Sequence, residues 1–178
     1  MYEEETHPRP GPVTEAVWFN ALWFQATWFS AVLGRDTLLP LTLCLLILHL
    51  MLVGNTHREL RQLLSVAFVG ISADASLSYI GLFQFEGNVL VPLWLCCLWL
   101  GFASTLPRSL SYLGKRPLLA SLVGGVAMPL NYWAGQKLGA VQFSYSLPVT
   151  LGAMAMIWAV LLPCLYQLTA LLQKSLRQ

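Results

Sequence analysis

The sequence predicts an all-α polytopic membrane protein, a bundle of six transmembrane helices with both termini on the cytoplasmic side. Three observations carry that reading. Hydrophobic residues make up 57% of the 178 and charged residues 10%, against about 25% charged in an ordinary soluble domain. The apolar residues gather in six stretches, each approaching the ~20 residues that cross a bilayer. The Lys and Arg residues fall almost entirely on one side of those stretches. A net charge of +2, with no basic run of interleaved aromatics, argues against a nucleic-acid partner.

Residues 1–15 read as a polar tail, with Glu3, Glu4 and Glu5 among several prolines. The tail lacks the basic start of a signal peptide, so the first apolar stretch is expected to remain as a helix. The transmembrane domain spans 16–173, and 174–178 form a short basic tail. The six stretches run about Ala16–Gly34, Thr37–Gly54, Leu63–Leu82, Leu90–Leu106, Leu118–Gly135 and Val149–Leu172. Helices are the expected spanning form, because a closed barrel needs short alternating strands. Pro129 and Pro163 fall inside the fifth and sixth stretches and are expected to kink them.

Orientation follows from the basic residues. One side holds Arg9, Arg58, Arg61, Arg108, Lys115, Arg116, Lys174 and Arg177; the other holds Arg35 and Lys137. This asymmetry predicts both ends inside and an even number of spans. The loop Pro107–Pro117 (PRSLSYLGKRP) brings three cations and Tyr112 together, which suits an interfacial segment near anionic headgroups as well as an ordinary cytoplasmic loop.

The first helix carries a repeat: AVWFN, ALWFQ and ATWFS, from Ala16 to Ser30. Five residues advance a helix by about 140°, so Trp18, Trp23 and Trp28 spread around it. Two readings are open: aromatic packing with an interfacial anchor at Trp18, or an aromatic wall for a flat or long apolar ligand.

Asp74 is the one acid inside a predicted span. A carboxylate at the midplane is costly and marks a candidate site. Its helix face, Ala67, Gly70, Asp74, Ser78 and Gly81, is small and partly polar. That face either admits a closely packed helix or leaves room for water or a ligand, and Asp74 is either functional or a buried hydrogen-bonded structural residue. Counting ~1.5 Å per residue, Asp74, Gln25 and Asn131 lie at similar depths, with Tyr132 beside Asn131. They would form one polar belt if the first, third and fifth helices adjoin. His49 lies nearer the cytoplasmic end of the second helix. Gly135 and Gly139 have G-x-x-x-G spacing, which favours close helix approach, and Pro129 frees a carbonyl that Asn131 or water can satisfy. The four cysteines, Cys44, Cys96, Cys97 and Cys164, lie in apolar runs and read as packing residues. No nucleophile, phosphate-loop or dinucleotide motif is present; no metal site and no cofactor are expected.

The stretches FQATWFSAVLG (Phe24–Gly34), PLWLCCLWLGFASTLPRSLSYL (Pro92–Leu113) and MPLNYWAGQKLGAV (Met128–Val141) resemble an uncharacterised family of bacterial inner-membrane proteins, domain of unknown function 2878. The likeness runs from about Phe19 to Leu165. Its pattern falls here on Gln25 and Trp28, on Trp99, Phe102, Thr105 and Leu106, and on Pro129, Tyr132, Gly135 and Gly139; Met128 departs from the expected Gly. The resemblance implies a multi-pass protein of the bacterial inner (plasma) membrane with no established activity. The resemblance also implies a lipid context, since members are often encoded near lipid-modifying enzymes of the cyclopropane-fatty-acid-synthase type. That association implies membrane lipids as partners, and a soluble or membrane protein of lipid metabolism as a further one. The substrate-binding subunits of energy-coupling-factor vitamin transporters are similar in helix number and length, but the alanines here (Ala16, Ala21, Ala26, Ala31) recur every five residues and form no close-packing stripe.

Three function classes follow. The first is binding or transport of an apolar small molecule or lipid in a midplane pocket, with Asp74, Gln25, Asn131, Tyr132 and His49 as polar contacts and Trp28 and Trp99 as walls. The second is a lipid-modifying enzyme or a subunit of one, with Asp74 or His49 moving protons. The third is a scaffold recruiting a soluble enzyme of lipid metabolism through its basic loops.

Overall fold

The computed structural model describes residues 13–175; the expectations for Glu3, Glu4, Glu5, Arg9 and Arg177 lie outside the described residues. The described residues open with a 3-10 turn, Val13–Glu15, within the segment expected to be a tail. There Thr14 is buried. Six α-helices follow among the described residues: α1 (Val17–Gly34), α2 (Leu39–Leu52), α3 (Thr56–Tyr79), α4 (Leu93–Thr105), α5 (Pro117–Lys137) and α6 (Leu147–Ser175). The fold is all-α, as expected, with one addition. The two-residue strands β1 (Phe83–Gln84) and β2 (Gln142–Phe143) pair antiparallel, Phe83 opposite Phe143, and zip the α3–α4 connection to the α5–α6 turn.

Among the described residues three helices, α3, α5 and α6, are long and apolar enough to cross a membrane. The 14 residues of α2 and 13 of α4 reach only about 21 and 20 Å at ~1.5 Å per residue, short of a ~30 Å hydrocarbon core. Proline sets the limits of α4. Pro92 is its N-cap, in extended conformation, and a proline carries no N–H with which to continue the helical ladder. Pro107 follows its last turn. Conversely, α3 begins seven residues before the apolar run, because Asn55 caps it by accepting the Arg58 N–H at 3.0 Å.

Both α3 and α5 end in the same way. Gly81 takes φ 76° and Gly139 φ 75°. The next amides, of Leu82 and Ala140, reach back to the Leu77 and Gly135 carbonyls at 2.9 and 2.8 Å. These are six-to-one helix stops, for which a left-handed glycine is the least strained residue. The Gly135/Gly139 spacing therefore does not mark a helix contact: Gly139 lies beyond α5, and a Cβ there would meet nothing within 4 Å. The close approach is at Gly124, where a Cβ would come within 2.3 Å of the Trp158 carbonyl oxygen of α6.

In packing, α1 lies on α2 and α4, α3 on α4 and α6, and α5 along α6. The first, third and fifth helices thus do not pack along one another; α4 stands between α1 and α3, and α5 reaches α3 through the Tyr132 side chain. Its large side chains are buried on several sides, Trp94, Leu95, Trp99 and Phe102 among them, which suits a central helix. The outer surface is strongly apolar: Phe68 is 73% exposed, Leu118 82% and Met156 72%. So large an exposed apolar surface is unfavourable in water. Of the cysteines only Cys97 is buried, while Cys44 and Cys164 face outward.

Candidate functional site

Because α1 and α5 are not packed on one another, a cleft of about 440 Å3 remains between them, with α4 as its floor and Trp158 of α6 at its back. Its lining includes both Val17 and Val32, at opposite ends of α1, so it runs about 22 Å along that helix at ~1.5 Å per residue. Phe24, Trp28, Trp99 and Phe102 make its walls, and Gln25, Asn131 and Tyr132 are among its polar groups. Of the residues singled out from sequence, Gln25, Trp28, Trp99, Asn131 and Tyr132 line this cleft. The repeat of α1 behaves as its 140° step requires: Trp18 is 64% exposed, Trp23 is half-buried and Trp28 turns into the cleft.

Asp74 and His49 do not line it. Asp74 is buried behind the wall, where Oδ2 accepts the Trp99 indole N–H at 2.7 Å and Oδ1 accepts the Tyr132 hydroxyl at 2.5 Å. Gly70, one turn earlier, makes the room: a Cβ there would stand 2.1 Å from Trp99 Cζ3. The small face of α3 is thus a slot for an indole. Trp99 in turn stacks on Trp158, with centroids 5.5 Å apart and planes within 4°. Tyr132 stands against Phe83, 5.7 Å between centroids. The expected belt joining Asp74 to Gln25 and Asn131 is replaced by a layered arrangement, in which Asp74 positions two of the groups that face the cleft. The Asn131 amide turns back on its own helix and donates to the Ala127 carbonyl at 2.8 Å, not to the Gly125 carbonyl that Pro129 leaves free.

His49 belongs to a second buried cluster, at the end of the bundle where α1 begins. Its Nε2 lies 2.9 Å from Glu59 Oε1. Arg108 grips the same carboxylate with two bonds, Nη1 to Oε1 at 2.9 Å and Nη2 to Oε2 at 2.8 Å, and donates from Nη2 to Glu15 Oε1 at 2.8 Å. Burial opposes the Arg108 charge, but its hydrogen bonds and the two carboxylates outweigh that and hold its pKa above the usual arginine range. Arg108 is therefore not a cation displayed to lipid headgroups or a partner, as the Pro107–Pro117 loop suggested. Arg116 in the same loop lies over the Tyr112 ring, 4.2 Å from its centroid. Glu59 escaped sequence reasoning because it precedes the apolar run; the Asn55 cap was the signal that places it on a helix. Among the described residues, no three His, Cys, Asp or Glu side chains are grouped to hold a metal ion.

Neither the curated proteins nor the solved structures contain a match to this chain. The family described as "Protein of unknown function (DUF2878)" matches residues 17–164, a stretch that holds α1 to α5, most of α6 and every residue of the cleft. The chain belongs to that family.

Proposed function

We propose that this chain is a multi-pass protein of a bacterial inner membrane, with six spans and both ends in the cytoplasm, that binds or moves an apolar small molecule or lipid in the cleft between α1 and α5. The cleft carries the reading. It is long and aromatic, within the ~300–1,000 Å3 range of ligand pockets, and has a few polar groups on an apolar wall. Such a site gives an apolar chain much surface to bury and leaves Gln25 and Asn131 to orient it, with the Tyr132 ring held in the wall by Asp74. The apolar outer surface supports placement in lipid, and the short α2 and α4 fit six spans if the bilayer thins around them or the flanking segments complete the crossing.

The test is native mass spectrometry with lipidomics on the gently purified protein, wild type against Ala21→Trp. Ala21 lines the cleft from an exposed position on α1, so an indole there fills the space without disturbing the core. A specific co-purifying molecule in the wild type, lost in the variant with helicity retained, is the expected result. Equal retention in both, or no enriched molecule in either, overturns the proposal.

A further inference from the structure

At the end of the bundle opposite the Arg108 cluster, the cleft continues into a second cavity of about 460 Å3. The two share Phe85, Trp94 and Ala140 in their linings. Phe85 and Trp94 meet edge-to-face at the junction, centroids 6.0 Å apart and planes at 79°. The long cleft is apolar, whereas the second cavity is charged: Arg35, Asp36 and Glu86 line it.

Arg35 is held there in an unusual way. It caps α1 with φ 45° and ψ −128°, a backbone region that residues with a Cβ rarely adopt and that is concentrated at functional positions. Its side chain crosses to the other loops, with Nη1 donating to the Gly139 carbonyl at 3.0 Å and to Glu86 Oε2 at 3.3 Å. Both bonds leave from Nη1. Among the described residues Nη2 and Nε make no hydrogen bond, so a two-pronged face of the guanidinium is open to an anionic oxygen pair, the geometry by which arginine takes phosphate. Two carboxylates share the cavity, and the Glu86 side chain is 87% exposed.

A purely anionic headgroup would face those two carboxylates, and an uncharged one would leave the free edge of Arg35 and the Asp36 carboxylate without a partner, since Arg35 and Glu86 already pair through Nη1. A headgroup carrying both a phosphate and an ammonium matches the set. We propose that the cleft and this mouth form one site for a zwitterionic phospholipid: an acyl chain along the α1–α5 cleft, the phosphate on Arg35, and the ammonium beside Asp36 and Glu86. The assignment rests on the reading of the cleft as a lipid site and adds the headgroup class.

The experiment is a native mass spectrometry titration of the delipidated full chain in detergent. Its probes are phosphatidylethanolamine, phosphatidylglycerol and diacylglycerol with identical acyl chains. Wild type is expected to retain phosphatidylethanolamine about tenfold better than either of the others, the scale of one charge-assisted contact. Arg35→Gly removes the guanidinium at a backbone position glycine accepts, so the variant folds; it is expected to lose the advantage over diacylglycerol. Asp36→Asn with Glu86→Gln is expected to shift preference to phosphatidylglycerol. Equal retention of all three lipids by wild type and Arg35→Gly, with Ala21→Trp still abolishing retention, overturns the headgroup assignment and leaves the cleft standing. A wild-type preference for phosphatidylglycerol also overturns it. No retention of any lipid by wild type removes the cleft reading and this one together.

Discussion

Trp99 donates its indole N–H to Asp74 across the α3–α4 contact at 2.7 Å, while its six-membered ring lies over Gly70 on the same face of α3. One side chain thus fills a steric slot and satisfies a buried carboxylate, and its stack on Trp158 carries that order into α6. The Tyr132 hydroxyl brings α5 to the same carboxylate. Asp74 is the point where the wall of the cleft is fastened to the bundle.

Asp74→Ala should therefore destabilise the protein by about 2–6 kcal/mol, since it orphans two buried donors at ~1–3 kcal/mol each. Asp74→Asn keeps an acceptor for Trp99, and its amide can donate to a reoriented Tyr132 hydroxyl, so the loss should be under half of that. Thermal unfolding in detergent ranks the two, and equal losses would show that the carboxylate acts by charge and not as an acceptor.

Gly70→Ala tests the slot. Its methyl would fall 2.1 Å from the Trp99 ring, so the ring must move and the bond to Asp74 must lengthen. A loss of about 1–3 kcal/mol is expected for such overpacking. Combined with Asp74→Ala the loss should be clearly less than additive, because both changes break the same contact.

The glycines of α5 should respond in an order opposite to that suggested by their spacing. Gly124→Ala puts a methyl against the Trp158 carbonyl and should separate α5 from α6, with a marked drop in midpoint temperature. Gly139→Ala should cost about 1 kcal/mol, from a left-handed conformation alone. Gly135→Ala should be near neutral, since a Cβ there stands 3.6 Å from Val141. A larger loss at Gly135 than at Gly124 would restore the G-x-x-x-G contact.

Arg108→Ala leaves Glu59 buried without its cation and should cost about 3–5 kcal/mol. Glu15→Ala removes a partner whose side chain is 52% exposed, and the loss should stay under about 1 kcal/mol. Denaturation of the two variants side by side separates a buried ion cluster from a surface one.

The sequence alone determined the helical class, the six apolar segments, the uneven distribution of basic residues, the spread of the three tryptophans around α1 and the singular position of Asp74. Each is a property of composition, of position along the chain or of a 3.6-residue period, and none depends on which helices adjoin. It also located five of the cleft residues, because Gln25, Trp28, Trp99, Asn131 and Tyr132 are polar or aromatic groups inside apolar runs. What it left open was neighbourhood. Whether Asp74 meets Gln25 or Trp99, whether His49 meets Asp74 or Glu59, and whether Arg108 points to lipid or into the bundle depend on which helices adjoin. Arg108 and Glu15 are 93 residues apart. Gly139 reads the same as a packing residue or a helix stop until the chain reverses after it. Only the tertiary structure decided these, by placing α4 between α1 and α3 and leaving α1 and α5 apart, because helix adjacency is set by mutual fit of side chains across long sequence separations and not by any pattern within one helix.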